Sequence, residues 1–218
     1  YFPFTYKSIT YNYDLDGKLV STLTQEQQTD AFGNITGNVT DYGDGHRDSV
    51  VSTYSNDTNK WLLGRMTRTE LYRQAPGAAP VKRTSAFEYD AQTGLLKKEI
   101  LEPDLPPDQR LEMRYERDAF GNIRRETKRF FNGSAFVERN TFKEFDPVYG
   151  KLLLNNYNDL GHTVSFTYDP VLGLPTGETD ENGVKTSMEY DGFGRTTRIV
   201  QADGNWKNTR YERCKQGI

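Results

Sequence analysis

Hydrophobic and polar residues alternate along short stretches of the chain, most clearly in its last third. Between 163 and 168, valine, phenylalanine and tyrosine occupy every second position, and threonine and serine fill the positions between them. Residues 184–190 repeat the scheme with valine, threonine, methionine and tyrosine. Because side chains of a strand point alternately to its two faces, this period of two predicts half-buried β-strands.

Short turn segments separate these strands, and an acid and a glycine recur in them. An aspartate that can accept hydrogen bonds from its own turn, followed by a residue that tolerates positive φ, is typical of a tight turn. In five copies an aromatic residue comes before the acid: Tyr13-Asp14 with Gly17, Tyr89-Asp90 with Gly94, Phe145-Asp146 with Gly150, Tyr168-Asp169 with Gly173, and Tyr190-Asp191 with Gly194. Two copies keep only the acid and the glycine, Asp30 with Gly33 and Asp118 with Gly121, and a looser copy ends at Gly64.

A second set of glycines alternates with the first. Gly161, Gly183 and Gly204 each come seven residues before a tyrosine, which gives a repeat of strand, turn, strand, turn. The proline-containing segments 74–80 and 102–108 are expected to be loops, and no stretch has the apolar spacing of a helix. The sequence therefore predicts an all-β fold, an antiparallel, curved repeat sheet of short strands joined by tight turns. We expect one region over 1–218, cut from a longer protein.

The repeated turns resemble the RHS, or YD-repeat, family over roughly residues 11–211. Residues 53–57, which lead to Trp61-Leu62-Leu63-Gly64-Arg65, resemble the repeat region of bacterial insecticidal toxin-complex B components and related virulence-plasmid proteins. The resemblance implies a spiralling β-sheet shell that encloses a toxic or signalling domain. It also implies that the chain is not an enzyme. The implied partners are the rest of its parent chain, the enclosed domain and other toxin-complex subunits, and the implied location is secreted or at the cell surface of a bacterium.

Composition supports a β-sheet and excludes some partners. Only 34% of residues are hydrophobic, but aromatic residues reach 13%, which suits pleated, half-exposed sheets better than disorder. The net charge is −3 with acids and bases interspersed, so the chain lacks the basic patch of a nucleic-acid binder. No apolar run approaches the length of a membrane span. The single cysteine, Cys214, cannot form an intrachain disulfide. Open sheet edges are expected to pair with another chain or with a second copy.

Four other features could carry chemistry. The Asp146-Pro147 and Asp169-Pro170 turns look superficially like the self-cleavage sequence of some family members, so a fragment of a self-cleaving core is one alternative. Residues 41–48 contain part of a calcium loop, although acids are missing where a full loop would supply them. The aromatic rows could bind glycan or protein, but they also suit cross-strand packing. The chain has two histidines. We assign no catalytic residue, cofactor or metal ligand.

Overall fold

A computed structural model describes residues 4–212 of the 218-residue chain, so Cys214 lies outside the described part. The described residues form sixteen β-strands and one short 3-10 helix at Pro107–Gln109. The strands are β1 (Lys7–Tyr13), β2 (Leu19–Thr29), β3 (Ile35–Asp41), β4 (Arg47–Asp57), β5 (Leu62–Gln74), β6 (Val81–Tyr89), β7 (Leu96–Leu101), β8 (Leu111–Arg117), β9 (Ile123–Phe131), β10 (Phe136–Phe145), β11 (Leu153–Asn158), β12 (Thr163–Tyr168), β13 (Pro175–Thr179), β14 (Lys185–Tyr190), β15 (Thr196–Val200) and β16 (Trp206–Asn208).

All sixteen strands belong to one antiparallel sheet, and each strand is hydrogen-bonded to its neighbours in chain order. The all-β class that the alternating pattern predicted is confirmed. The segments 74–80 and 102–108 connect strands, as expected, although β5 extends to Gln74 and the second connection contains the 3-10 helix. No helix in the part of the chain that the structure describes is long and apolar enough to cross a membrane.

A one-residue bulge lies beside the turn in many hairpins. Thr167 pairs with Gly177 but Tyr168 pairs with Pro175, so Thr176 is an extra residue in β13. A bulge of this kind increases the local twist and shifts the side-chain alternation by one position. The same shift occurs at the last residue of five other strands and within β4, at Tyr13, Thr29, Tyr54, Tyr89, Phe145 and Tyr190.

Contacts between residues divide the chain into two compact units. The first unit contains residues 4–114 and 128–138, and the second contains 115–127 and 139–212. The described residues include no buried hydrophobic side chain. Among the polar side chains of residues 4–212, only those of Ser52, Thr84 and Thr127 are buried. Each unit is therefore stabilised by contacts within a single layer, and not by a core between two layers.

In the first unit, the register of β4 to β8 places most apolar side chains on one face of the sheet and most charged side chains on the other. Paired residues of neighbouring strands point to the same face of a sheet. One face, which we call the tyrosine face, carries Val50, Leu71, Phe87, Tyr89, Leu101 and Met113. The opposite face, which we call the charged face, carries Arg68, Glu70, Lys82, Lys98, Glu112 and Arg114.

Candidate functional site: the row of Tyr-Asp turns

The aspartate of each turn binds the backbone of its own turn. Oδ1 of Asp169 accepts hydrogen bonds from the N–H groups of Val171, at 2.8 Å, and Leu172, at 2.7 Å. The backbone N–H of Gly173 donates to the Asp169 carbonyl at 2.9 Å, which closes the turn. The same use of the carboxylate is found at Asp14, Asp30, Asp90, Asp118, Asp146 and Asp191.

Hydrogen bonding to an ionised carboxylate favours the charged form, and it lowers the pKa of Asp30, Asp90, Asp146 and Asp191. Backbone N–H groups, first that of Leu152 and then that of Tyr149, lower the pKa of Asp146 to about 2. Hydrogen bonds from Asn34 lower the pKa of Asp30, and those from Thr93 and Gln92 lower that of Asp90. At Asp191 the first cause of the lowered pKa is the Arg195 side chain.

At two turns, glycine is required both by the backbone conformation and by the close approach of a neighbouring side chain. Gly94 and Gly150 have φ of 70° and 64°, in the region that side chains disfavour. A Cβ built on Gly94 would lie 2.7 Å from Leu62, and one on Gly150 would lie 2.4 Å from the Phe120 ring. Phe120 lies in the preceding turn of the same row, and Leu62 is the first residue after the preceding turn. Each of these turns therefore packs against the bare backbone of the next.

Tyrosines link strands in a second way. The Tyr168 hydroxyl donates to the carbonyl of Leu153 at 2.8 Å, and the Tyr190 hydroxyl donates to that of Pro175 at 2.7 Å. Each acceptor is the first residue of the preceding strand, fifteen residues earlier. Tyr54 makes the corresponding bond to Ile35, the first residue of β3, at 3.0 Å.

The two turns without a leading aromatic residue use an asparagine instead. Asn34 and Asn122 follow the turn glycines Gly33 and Gly121. The Asn122 amide donates to Asp118 Oδ2 at 3.1 Å and to the carbonyl of the next turn's Gly150 at 2.7 Å. Asn34 donates to Asp30 at 2.8 Å and reaches Asn56 at 3.4 Å.

The arginines that directly follow Gly64 and Gly194 each contact an aromatic ring further along the chain. The Arg65 guanidinium lies 5.8 Å from the ring centre of Tyr89 in the first unit. In the second unit, Arg195 lies 4.4 Å from the ring of Tyr211. Cation–π contacts of this kind stabilise partly exposed pairs. Sequence reasoning missed these arginines, although their position directly after the glycine is a signal that can be read from the repeat.

Gly64 differs from the other expected turn glycines. The turn before it comprises the residues after Asp57 and ends at Trp61, which has φ of 54°, and Gly64 itself also has a positive φ of 69°. Gly64 lies within β5 beside an irregularity in the pairing with β4, and its N–H donates to Asn56 Oδ1 at 2.7 Å. Because this copy matches the repeat only loosely, sequence analysis missed a turn that closes at Trp61, three residues before Gly64.

The Asp-Pro turns have the geometry of ordinary repeats. Oδ2 of Asp146 accepts hydrogen bonds from Lys151 and Leu152 at 2.7 and 2.8 Å, and Oδ1 accepts one from Tyr149 at 2.7 Å. Asp169 is engaged by its own turn in a similar way. Both carboxylates thus hold backbone amides, in positions that the turn itself defines.

The acids of the suspected calcium loop also accept hydrogen bonds from the backbone of their own turns. Asp41 Oδ1 accepts a hydrogen bond from Gly43 at 2.8 Å, and Asp44 contacts both the backbone and the ring of His46. Residues 4–212 contain no group of three or more histidine, cysteine or acidic side chains placed to hold a metal. The other histidine, His162, lies in the turn that begins at Asn158.

The aromatic rows pack across strands. Phe142 and Tyr157 are stacked with ring centres 5.0 Å apart, and Phe131 meets Phe136 edge-on at 5.4 Å. Such pairs stabilise neighbouring strands of a sheet. Ring faces that a glycan would need are thus used between strands at both places.

Ion pairs on the charged face of the first unit join successive strands. Lys98 lies 3.6 Å from Glu88 on β6 and 3.4 Å from Glu112 on β8. Arg114 continues the series to Glu112 at 2.6 Å and to Glu138 at 3.0 Å. The alternation of sign from strand to strand leaves this face without a patch of one charge.

Glu70 is the centre of a second cluster on the same face. It accepts hydrogen bonds from Lys82 at 2.8 Å, from the Tyr72 hydroxyl at 2.6 Å and from Arg68 at 2.9 Å. These bonds, that of Lys82 first, lower the pKa of Glu70 to about 2. Arg68 also binds Asp104, which fastens the 102–110 connection over β5 and β6.

Comparison with known proteins supports the repeat reading. Residues 168–205 match the family model of the RHS repeat. Comparison with curated protein sequences gives no significant match. The turns that indicated an RHS-like chain thus include a segment that the family model recognises, so the resemblance is confirmed.

Three solved structures with a similar fold are of toxin-complex proteins. The chain is similar to a Tc holotoxin pore structure of Photorhabdus luminescens, with 15% identity, a TM-score of 0.50 and 94% of this chain covered. It is also similar to two crystal structures of TcdB2-TccC3, with 16% and 13% identity, TM-scores of 0.54 and 0.52, and coverage of 88% and 93%. The matched region is 10% to 13% of the length of those chains.

Proposed function

We propose that this chain is a non-enzymatic segment of a β-sheet wall that encloses a toxin or effector domain within a larger, secreted bacterial protein. The observation that carries the proposal is the way the turns interlock. Each strand pairs with the next in chain order, and side chains such as Leu62 and Phe120 pack against the glycine of the following turn. A wall needs this property, because it must extend by repetition without a central core.

Contacts between nearest neighbours suit an extended sheet. In repeat proteins, each unit is stabilised mainly by the units beside it, so the sheet can grow to any length. Here the tyrosine hydroxyl bonds and the turn contacts join adjacent strands or adjacent turns, and ion pairs such as Lys98 with Glu112 join adjacent strands. The similarity of fold to TcdB2-TccC3 structures supports the same use.

The hydrogen bonds made by the turn acids support a structural role for them. A catalytic acid must reach a substrate and exchange a proton near the working pH. The carboxylates of Asp146 and Asp169 are instead occupied by backbone amides, and the pKa of Asp146 is about 2. In this proposal, the partners are the neighbouring segments of the parent protein and the domain that they enclose.

A matched pair of glycines tests the wall function in the longer protein. Gly150 and Gly173 have nearly the same φ, 64° and 65°, but only Gly150 faces a neighbouring side chain. Both Gly→Ala variants add strain to the backbone, and Gly150→Ala alone also pushes against Phe120. We expect the wild-type wall to protect the enclosed domain from added protease, and Gly150→Ala to weaken that protection much more than Gly173→Ala.

The readout is the rate at which protease digests the enclosed domain, followed by gel and mass spectrometry, with the free domain as the unprotected reference. Digestion of the enclosed domain as fast as the free domain in the wild-type protein would rule out an enclosing wall. Equal effects of the two alanine variants would show that the turn contact does not hold the wall closed.

A further inference from the structure

Two exposed turns of the sheet contain an asparagine followed directly by a glycine. Asn132-Gly133 lies between β9 and β10, and Asn182-Gly183 lies between β13 and β14. The side-chain amide of an asparagine can be attacked by the backbone nitrogen of the next residue. A glycine leaves the approach to that nitrogen open, because it has no Cβ. The two pairs have the same two residues, but their surroundings in the structure are opposite.

The side-chain carbonyl of Asn132 is polarised by its own turn. Its Oδ1 accepts hydrogen bonds from the backbone N–H groups of Ser134 and Ala135, both at 3.0 Å. When a nucleophile attacks Cγ, negative charge develops on this oxygen. Two backbone N–H groups at hydrogen-bond distance stabilise such an oxyanion. The turn therefore lowers the barrier to attack at the Asn132 side chain.

The nucleophile for this attack is the backbone nitrogen of Gly133. Among the hydrogen bonds of residues 4–212, none uses the Gly133 N–H, and the turn is closed by the N–H of Asn132, which donates to the Ala135 carbonyl at 3.1 Å. Gly133 has φ of 98°, and a Cβ built on it would have no atom within 4 Å. The nitrogen thus lies in open space without a competing partner.

Asn182 lacks both features, because an acid organises its turn. Oδ1 of Asp180 accepts hydrogen bonds from the N–H groups of Asn182, at 2.9 Å, and Val184, at 2.8 Å. The Gly183 N–H donates to the Asp180 carbonyl at 3.0 Å, so this nitrogen must lose a hydrogen bond before it can attack. Within the described part of the chain, no backbone N–H donates to the Asn182 side chain.

We propose that Asn132 is a self-modification site, at which the folded chain converts this asparagine to aspartate and isoaspartate without an enzyme. The Gly133 nitrogen loses its proton to water and bonds to Cγ of Asn132. The Cγ–Nδ2 bond breaks, and the nitrogen takes up a proton and leaves as ammonia. Water then opens the resulting succinimide ring. Attack at Cγ gives aspartate, and attack at the backbone carbonyl carbon gives isoaspartate.

The conversion changes both the charge and the backbone of the hairpin. Each event adds one negative charge to a chain whose net charge is −3. An aspartate keeps an oxygen that can accept the bonds from Ser134 and Ala135, so it preserves the turn. Isoaspartate inserts a methylene group into the backbone and disturbs the strand ends where Phe131 meets Phe136. This property goes beyond the proposed wall function, since it requires no enclosed domain.

The first test uses the full 218-residue chain without any substitution. It is incubated at neutral pH, and peptides are mapped by mass spectrometry over several weeks, with isoaspartate separated from aspartate by chromatography. We expect Asn132 to be converted about fivefold faster than Asn182, the change in rate that one net hydrogen bond gives. Isoaspartate should be among the products at Asn132, because direct hydrolysis of the amide by water gives aspartate alone.

The same measurement in concentrated urea separates the fold from the local sequence. Unfolding removes the bonds to Oδ1 of Asn132 and the bond that holds the Gly183 nitrogen. We therefore expect the two asparagines to be converted at similar rates in urea.

A matched pair of variants identifies the charged product. Asn132→Gln should remove most of the acidic species that ion-exchange chromatography resolves after incubation, because the longer side chain no longer places its amide for a five-membered ring. Asn182→Gln, at the same position of another exposed Asn-Gly turn, should leave that species unchanged. Circular dichroism checks that both variants fold.

Four results would overturn the proposal: equal conversion of the two asparagines in the folded chain, the same fivefold ratio in urea, aspartate without isoaspartate at Asn132, or an unchanged acidic species in Asn132→Gln. The first three need no variant, so they decide the question even where a substitution disturbs the hairpin. Protease protection of an enclosed domain enters none of them.

Discussion

At the scale of single residues, the tyrosine of a Tyr-Asp turn is tied to the strand before it, as the bonds from Tyr168 to Leu153 and from Tyr190 to Pro175 show. The acid of the same turn is tied to the turn itself. The two residues of the motif thus have different roles: the tyrosine positions neighbouring strands, and the aspartate fixes the conformation of the turn. This division explains how Asp30 and Asp118 keep their turns without a tyrosine.

We expect Tyr190→Phe to lower the free energy of unfolding by about 1 kcal/mol, because it removes one hydrogen bond and leaves the Pro175 carbonyl without this donor. For a chain of this size, that loss lowers Tm by about 2–4 °C. Tyr13→Phe is the control, since Tyr13 is 61% exposed and ends the first strand. Thermal unfolding followed by circular dichroism measures both. Equal shifts for the two variants would contradict a specific role of the hydroxyl bond.

The turn acids predict how stability changes with pH. Asp146 has a pKa of about 2 in the folded chain, below the value of about 3.9 for an aspartate in an unfolded chain. A lowered pKa contributes stability that is present above the unfolded value and is lost as the pH falls through the folded value. Asp30, Asp90, Asp118 and Asp191 shift in the same direction. We therefore expect the urea midpoint to fall between about pH 4 and pH 2.

Asp146→Asn should remove part of this acid dependence, because asparagine cannot lose charge over that range. The matched control is Asp16→Asn, whose backbone donates to Asp14 at the tip of an exposed turn. Urea unfolding of both variants at pH 7, 4 and 2 makes the comparison. The same slope in Asp146→Asn as in the unchanged chain would show that this carboxylate does not contribute.

At the scale of the element, sequence reasoning could predict the hairpins but not how they contact each other. The turns could be read because an aspartate and a glycine a few residues apart carry their own local chemistry, as at Asp169 and Gly173. The packing of Phe120 on Gly150 joins residues thirty positions apart, so it depends on a register that one sequence does not display. The bulges shift that register by one residue at each of several strand ends. The turn near Gly64 was misread because its acid, Asp57, lies seven residues before that glycine, and the turn closes at Trp61.

The contact between two turns can be measured as a coupling energy. We expect Gly150→Ala to destabilise the chain by more than Gly173→Ala, since both add the strain of a side chain at positive φ, roughly 1–2 kcal/mol, but only the first meets the Phe120 ring. Phe120→Ala should relieve that clash. The double variant should then be less destabilised than the sum of the single variants, as a thermodynamic cycle of urea unfolding can show. Additive losses would mean that the two turns do not act on each other.

At the scale of the whole molecule, the sheet has no buried hydrophobic side chain among the residues described. Half-buried side chains on both faces supply what a core supplies in a two-layer domain, and ion pairs such as Lys98 with Glu112 satisfy the polar side. The alternating sequence pattern predicted half-buried strands, but it could not say which face is apolar. That assignment needs the pairing of Val50 with Leu71 and of Lys98 with Arg114.

A single-layer sheet of this kind should lose stability locally, because each strand depends mainly on its two neighbours. We expect Gly150→Ala to speed amide hydrogen exchange in β10 to β12, which flank its turn, and to leave β3 to β5 unchanged. Gly94→Ala, which presses on Leu62, should do the reverse by speeding exchange in β5 to β7 and leaving β12 to β14 unchanged. Exchange measured by mass spectrometry on peptides from both regions makes the comparison within one experiment. Faster exchange throughout the chain in either variant would show that the sheet unfolds as one cooperative unit, so a wall built from it would open all at once and not at the damaged repeat.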